Sequence, residues 1–169
     1  MPIPRAIEAA DRHAIGRFLT RRWGAATIML DARAIDAAAL PGFIACAAGP
    51  DQSGDDEGIA GLATLLDDDI QTEIVTLDAV SPGAGLGTAL VELAAQRARA
   101  LGLQRLLTRT TNDNLDALRF YQRRGFRLYR LTPGAIDRER EADPAIARVG
   151  RHGIPLRDEI TLIRPLDDE

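Results

Sequence analysis

The sequence has one cysteine, two histidines and no lysine among its 169 residues. With Cys46 alone, an intrachain disulfide and a thiolate metal cluster are excluded. His13 and His152 are far apart and belong to no HxxxH or CxxC pattern, so no metal site is expected. All 21 basic residues are arginine, and the Gly-Lys-Ser/Thr of a P-loop is therefore absent.

Long apolar runs and an excess of positive charge are also missing. No stretch approaches the roughly 18 consecutive apolar residues that indicate a membrane span. The first residues, Met-Pro-Ile-Pro-Arg, lack the basic region and apolar run of a signal peptide. A net charge of −4 gives no sign of a nucleic-acid surface. We therefore expect a cytoplasmic protein that binds neither nucleic acid nor membrane.

The composition and the periodicity predict one domain, residues 1–169, with an α/β (α+β) fold. Hydrophobic residues make up 46% and charged residues 27%, as in ordinary globular proteins. Period-2 and helical patterns, separated by glycine and acidic turns, predict a mostly antiparallel central sheet flanked by helices, with one strand–helix–strand crossover. Strands are predicted at 3–7, 26–30, 42–48, 59–66, 70–80, 103–110, 126–131 and 154–164, and helices at 9–23, from the glycine turn to about 101, and at 114–124.

Two polar segments and two side chains complete this prediction. Residues 49–58 contain no apolar residue and predict a mobile hairpin connection, not a domain linker. The stretch 132–153 is long for a connection between strands, and such loops often carry specificity. Trp23 is expected to be a core residue at a helix end, and Cys46 a buried strand residue.

A glycine-rich turn, Gly83-Ala84-Gly85-Leu86-Gly87, lies between a predicted strand and a predicted helix. Residues without side chains let the backbone approach an anion, and the following helix offers N–H groups and the positive end of its dipole. A phosphate or diphosphate would fit there, although a tight turn without ligand has the same pattern. The dinucleotide fingerprint is excluded, because Thr88 replaces its third glycine and 104–111 has no acidic residue.

The stretch from Asn112 to Phe126 predicts a helix with a distinctive face. Asn114 can cap this helix through its side chain. Ala117 and Tyr121 are four residues apart and share one face. A small residue beside a polar cap and a phenol is typical of a groove wall that admits a ligand. Alternatively, Tyr121 is a core aromatic whose hydroxyl bonds to the backbone.

Together these segments resemble the GNAT superfamily of N-acetyltransferases over residues 72–126. The family signature Arg/Gln-x-x-Gly-x-Gly/Ala falls on Pro82-Gly83-Ala84-Gly85-Leu86-Gly87. The family's later Asn-x-x-Ala-x-x-Phe-Tyr-x-x-x-Gly-Phe element is matched in full by Asn114, Ala117, Phe120, Tyr121, Gly125 and Phe126. The combined spacing is far more specific than either half.

The resemblance implies an acetyl-CoA-dependent acyltransferase that acetylates a primary amine of a small molecule or peptide, as a monomer or homodimer. In the family the pantetheine arm pairs with the strand before the glycine turn. Pro82 stands where the family usually has arginine or glutamine, which leaves the diphosphate to backbone N–H groups. The resemblance assigns coenzyme A contacts to Leu77, Asp78, Ala79, Val80, Gly83, Ala84, Gly85, Leu86, Gly87, Thr88, Asn114, Ala117 and Tyr121.

It also implies two catalytic residues, Glu73 and Tyr121. Some family members carry a glutamate that acts as general base through water at the start of a similar Glu-Ile-Val strand. Alternation would put Glu73 on one face with Val75, Leu77 and Ala79; the alternative is a surface glutamate near a strand end. A phenol of ordinary pKa about 10 can protonate a thiolate whose conjugate acid lies near 8.5, so Tyr121 is the expected general acid.

Two other classes of function stay open from the sequence. One is a non-catalytic acyl-CoA binding or regulatory module on the same fold. The other is a scaffold that pairs with another chain through an open sheet edge. Release of free thiol with an amine separates the enzyme from the first, and saturable acetyl-CoA binding separates it from the second.

Overall fold

The computed structural model describes residues 1–47 and 58–166, in which the chain forms two compact units. The first is Met1–Leu103 and the second begins at Gln104. All of the predicted connection 49–58 except Gly58 lies outside the described residues. In the described ranges, no helix is long and apolar enough to cross a membrane.

The first unit contains a four-stranded antiparallel sheet in the order β1-β4-β5-β6, and a separate hairpin of β2 and β3. Its elements are β1 (Arg5–Ala6), α1 (Arg12–Trp23), β2 (Thr27–Leu30), β3 (Arg33–Asp36), β4 (Gly42–Cys46), β5 (Ile59–Asp67), β6 (Gln71–Ala79) and α2 (Leu86–Ala100).

One helix covers each face of this sheet. On one face Ile15, Phe18 and Leu19 of α1 pack against the strands in a buried cluster that includes Leu62 of β5. On the other face Leu86 and Leu90 of α2 pack against alanines of β4 and β5, with Leu77 and Ala79 of β6 beside them. Every third or fourth residue of each helix is apolar, which gives it a buried stripe to place on the strands.

The second unit contains three antiparallel strands, with the last strand between the other two. Its elements are β7 (Arg105–Thr111), α3 (Leu115–Gln122), β8 (Arg127–Thr132), α4 (Ala135–Ala142) and β9 (Glu159–Pro165). The antiparallel pairing predicted from the sequence is thus confirmed within each unit.

The stretch 132–153 and two single residues differ from the prediction. The stretch contains the helix α4. Arg140 of α4 bonds this helix to the residues that follow it, because its guanidinium donates to the carbonyl oxygens of Ile146, Ala147 and Leu156. The core assignments of Trp23 and Cys46 are wrong. Trp23 is 48% exposed and its indole N–H donates to Asp78 of β6, and Cys46 is exposed past a bulge at the end of β4.

Candidate functional site

The glycine turn lies where it was predicted, between β6 and α2. Gly83 and Gly85 have φ of +87° and +81°, a left-handed conformation that glycine adopts at little cost. The first helical bond of α2 runs from the Ala89 N–H to the Gly85 carbonyl at 3.0 Å. The N–H groups of Leu86 and Gly87 belong to the first turn of α2, where backbone N–H groups point out of the N-terminal end of a helix. With no acidic side chain in this first turn, an anion meets no local repulsion.

Close packing against β5 fixes the start of α2. A Cβ on Gly61 would lie 2.6 Å from Cδ2 of Leu86, nearer than side-chain atoms approach. Leu86 is buried and is the first residue of α2, directly after the exposed turn. Gly61 therefore lets the first turn of α2 sit close to the sheet and determines where the glycine turn is held.

The end of β6 offers fewer backbone groups than the predicted set Leu77 to Val80. The Val80 N–H already donates to the Ala60 carbonyl of β5 at 2.9 Å. Successive residues of a strand direct their backbone groups to opposite edges. Asp78 therefore points its backbone towards β5, as Val80 does, whereas Leu77 and Ala79 present theirs to the other edge.

A bulge in β6 changes the face on which Glu73 lies. Thr76 pairs with Thr64 and Ile74 with Leu65, so Val75 is an extra residue in the ladder. Glu73 consequently shares its face with Thr76 and Asp78, the face covered by α1. The predicted grouping of Glu73 with Leu77 and Ala79 is wrong, because strict alternation does not pass through a bulge.

Glu73 is buried within a row of polar side chains. Its exposed fraction is 7%, so the alternative of a surface glutamate is wrong. On the same face the buried hydroxyls of Thr64 and Thr76 lie 2.7 Å apart and hydrogen-bond to each other. The row continues to Asp78, which accepts from Arg22 Nε at 2.8 Å and Trp23 Nε1 at 2.7 Å. Two donors from the last turn of α1 are thus anchored to β6.

The second unit holds the predicted residues of α3. The Asn114 side chain accepts from the Ala117 N–H at 3.2 Å, which confirms the predicted cap. Tyr121 is 7% exposed and packs edge-to-face on the ring of Phe126, with centroids 5.0 Å apart. The Arg124 guanidinium lies 3.6 Å from the Phe120 ring centroid and donates to the Phe120 carbonyl.

Sequence reasoning missed a buried carboxylate beside α3. Asp113 is 5% exposed and accepts from the Thr111 hydroxyl and from the Arg151 N–H. Burial alone would raise the pKa of Asp113, but these hydrogen bonds and the Arg151 charge outweigh it and lower the pKa. A Cβ on Gly150 would overlap the Asp113 carboxylate. The Asn-Asp pair directly before a predicted helix was the available signal.

Metal ligands are not assembled in the described part of the chain, which contains no group of three or more His, Cys, Asp or Glu side chains suited to hold an ion.

Three comparisons relate this geometry to known proteins. Residues 42–126 match the model of the Acetyltransferase (GNAT) family. The chain is 34% identical over 152 residues to the uncharacterized protein YxbD of Bacillus subtilis (strain 168), covering 90% of this chain and 91% of that protein.

Solved structures share the fold. An IAA acetyltransferase from Bacillus cereus superposes with a TM-score of 0.71 at 20% identity, covering 98% of this chain and 99% of the other. A GNAT family acetyltransferase from Elizabethkingia anophelis, solved with acetyl-CoA bound, has a TM-score of 0.58 at 22% identity, covering 73% of this chain and 76% of the other.

Proposed function

The chain belongs to the GNAT family of acetyltransferases, and from that membership we propose that it transfers an acetyl group from acetyl-CoA to a primary amine of a small molecule or peptide. The observation that carries the proposal is the N-terminus of α2, where two left-handed glycines precede a first turn without acidic side chains. Backbone donors and the helix dipole bind the diphosphate there, in place of the cationic side chain that Pro82 does not supply.

The pantetheine arm lies along β6 in this proposal. Leu77 and Ala79 supply the backbone groups that pair with it, because Asp78 and Val80 direct theirs to β5. N–H groups at this edge also offer donors to the oxyanion that forms when the amine attacks the thioester carbonyl. Coenzyme A is thus held by main-chain groups over most of its contact with the first unit.

Proton transfer is assigned to two side chains. Glu73 takes the proton of the attacking amine through water. The burial of its carboxylate among polar neighbours supports this role as general base. The tetrahedral intermediate collapses with cleavage of the carbon–sulfur bond. Tyr121 then gives its proton to the departing thiolate, so that the products are an amide and coenzyme A as a free thiol.

The experiment that tests the proposal measures thiol release from acetyl-CoA with a panel of amines. Amino acids, polyamines, aminoglycosides and peptides with free N-termini represent the main acceptor classes. We expect amine-dependent release with at least one of them. Saturable acetyl-CoA binding without release for any amine would instead favour a non-catalytic acyl-CoA binding module.

A variant at Gly87 tests the diphosphate site directly. Gly87→Glu adds bulk and negative charge to the first turn of α2. Gly87 lies inside the helix, so the substitution avoids the backbone strain that any side chain would meet at the left-handed Gly85. We expect calorimetry to show loss of acetyl-CoA binding. Gln96→Glu, an exposed change on the same helix, adds the same charge and should bind normally. Normal binding by a folded Gly87→Glu protein would refute the assigned site.

A further inference from the structure

Two buried hydroxyls form a bonded pair inside the row of polar side chains. Thr64 of β5 and Thr76 of β6 are directly opposite each other in the sheet, and their hydroxyl oxygens are 2.7 Å apart. The two residues are 0% and 1% exposed. They lie on the face covered by α1, since Leu62, two residues before Thr64, shares a buried cluster with Ile15 and Phe18. The pair is therefore shielded from bulk solvent.

The pair contains one more proton than its own bond uses. Each threonine hydroxyl has one proton to donate and two lone pairs that accept. The bond between Thr64 and Thr76 uses one of the two protons, and neither hydroxyl has a second hydrogen-bond partner within residues 1–47 and 58–166. Valine has nearly the same shape and no polar group, whereas a buried donor without an acceptor is destabilising. The second proton therefore indicates an acceptor that the described residues do not supply.

The neighbouring carboxylate of Asp78 does not take this second proton. Its Oδ1 accepts from Arg22 Nε at 2.8 Å and its Oδ2 from Trp23 Nε1 at 2.7 Å. Asp78 follows Thr76 on this face of β6, and among the described residues no hydrogen bond joins it to either threonine. The direction that remains along the row is the one towards Glu73.

The spacing between Thr76 and Glu73 matches one water molecule. Glu73 pairs with Leu66 and Thr76 with Thr64, so two positions of β5, about 6.6 Å, separate the two residues. One water that bonds to both side chains spans about 5.6 Å between their oxygen atoms. Glu73 is 7% exposed. A water between these two side chains would therefore have fixed partners and little contact with bulk solvent.

We propose that the Thr64–Thr76 pair positions the water through which Glu73 accepts the proton of the attacking amine. Thr64 donates to Thr76, and Thr76 donates to the water, where it occupies one of the two lone pairs. The other lone pair is left for an N–H of the amine, and an O–H of the water points to the Glu73 carboxylate. As the amine's proton passes to the water, the water's own proton passes to Glu73. The water is restored, and neither threonine gains or loses a proton.

A positioning role differs from a purely structural one in what the loss of the hydroxyls changes. It rests on the proposed function, because both threonines act through Glu73, the general base assigned there. If the pair only stabilises the sheet, Thr76→Val should lower stability and leave the kinetics unchanged. If the pair holds the water, removal of both hydroxyls should slow turnover although it leaves no donor or acceptor of the pair unpaired.

The Thr76 hydroxyl is tested by thiol release with the fastest amine of the panel. Thr76→Val should lower kcat about tenfold or more, with acetyl-CoA affinity and the KM of the amine little changed, because the water loses its donor. Thr76→Ser keeps the hydroxyl and should restore most of the rate. Thr64→Val combined with Thr76→Val should be equally slow, with urea unfolding close to that of the wild type. Wild-type kcat in a folded Thr76→Val protein would refute the inference and leave the acetyltransferase standing.

A double-mutant cycle with Glu73→Gln tests whether the pair acts through Glu73. In a protein without the base, the water has no group to receive its proton, so Thr76→Val should lower kcat further by less than about twofold. The kcat of Thr76→Val alone should rise towards the wild-type value at high pH, where the amine loses its proton without help. Losses that multiply in the double variant, or a uniform loss at every pH, would overturn the inference.

Thr72→Val is the matched control for a buried threonine on the same strand. Thr72 is adjacent to Glu73 but on the other face of β6, and its hydroxyl donates to Asp67 at 2.7 Å. We expect Thr72→Val to lose stability and to keep both kcat and the pH profile. An equal loss of kcat in Thr72→Val would trace the effect to packing and contradict the positioning role.

A crystal structure of the wild type tests the water without any turnover. It should show an ordered water about 2.8 Å from both Thr76 Oγ1 and a Glu73 carboxylate oxygen, and Thr76→Val should lack it. A protein acceptor for the second hydroxyl proton in place of that water would overturn the inference. Absence of thiol release from the wild type with every amine of the panel would refute the proposed function, and the proton transfer through this water with it.

Discussion

One hydroxyl group decides the role of Tyr121. Tyr121→Phe keeps the ring against Phe126 and removes only the proton donor. If the phenol protonates the thiolate, kcat should fall by about 10²-fold with acetyl-CoA affinity little changed. Full turnover by a less stable Tyr121→Phe protein would assign Tyr121 to packing.

Glu73→Gln should also lower kcat by about 10²-fold, and it should remove the acidic limb of the pH–rate profile, because the proposed general base is lost. An unchanged profile would assign a structural role to Glu73.

Asp113 makes the second unit sensitive to acid. Its pKa in the folded protein lies below that of the unfolded chain, so its contribution to stability is complete above about pH 4 and is lost as pH falls through the folded pKa. Asp113→Asn should lower the free energy of unfolding by about 1–3 kcal/mol at neutral pH. The difference from wild type should shrink in urea titrations below about pH 4. A constant difference down to pH 2 would exclude the carboxylate as its source.

At the scale of elements, the contact between α2 and β5 sets the position of the glycine turn. Gly61→Ala places a methyl group 2.6 Å from Leu86 Cδ2, so Leu86 must shift and the start of α2 with it. We expect a loss of about 1–3 kcal/mol in stability and weaker acetyl-CoA binding. Gly16→Ala is the matched control, because its new Cβ meets only an ordinary contact and should stabilise α1 by about 0.5–1 kcal/mol. Unchanged acetyl-CoA affinity in Gly61→Ala would uncouple the turn from this contact.

The elements also show which parts of the fold can be predicted from sequence. Periodicity and glycines located α2 and its turn, and Asn114 was confirmed as a cap, because these signals are local. The bulge at Val75 could not be predicted, since it depends on how β5 pairs with β6. Strand β3 was missed because Asp31 and Ala32, at φ of +48° and +62°, make a turn without the usual glycine.

Helix α4 was missed for a different reason. It has only one buried residue, Ile136, so it shows no apolar stripe. Its alanines, glutamates and arginines are nevertheless good helix formers, and propensity summed over Ala135–Ala142 would have indicated it. The partners of Asp113 could not be predicted, although the Asn-Asp pair drew attention to the residue, because residues 150–151 come together with it only in the folded second unit.

At the scale of the whole molecule, acetyl-CoA should raise the temperature of unfolding. A ligand that binds only the folded state at 100 times its Kd adds about 2.7 kcal/mol. For a chain of this size each kcal/mol corresponds to about 2–4 °C, so a shift of roughly 5–10 °C is expected in a thermal melt. Gly87→Glu should show no shift at the same concentration. A shift of equal size in that variant would mean that the ligand binds elsewhere.

Trp23 gives this molecule a built-in optical probe. It is the only tryptophan in the sequence, half of its surface is exposed, and its indole N–H is bonded to Asp78 on the strand proposed to hold the pantetheine arm. Emission from a single indole comes from one environment, so its wavelength and lifetime respond to changes around Trp23, the bond to Asp78 among them. Binding at the end of β6 can therefore be followed by intrinsic fluorescence without any label, and Asp78→Asn supplies the reference spectrum for an indole that has lost its carboxylate.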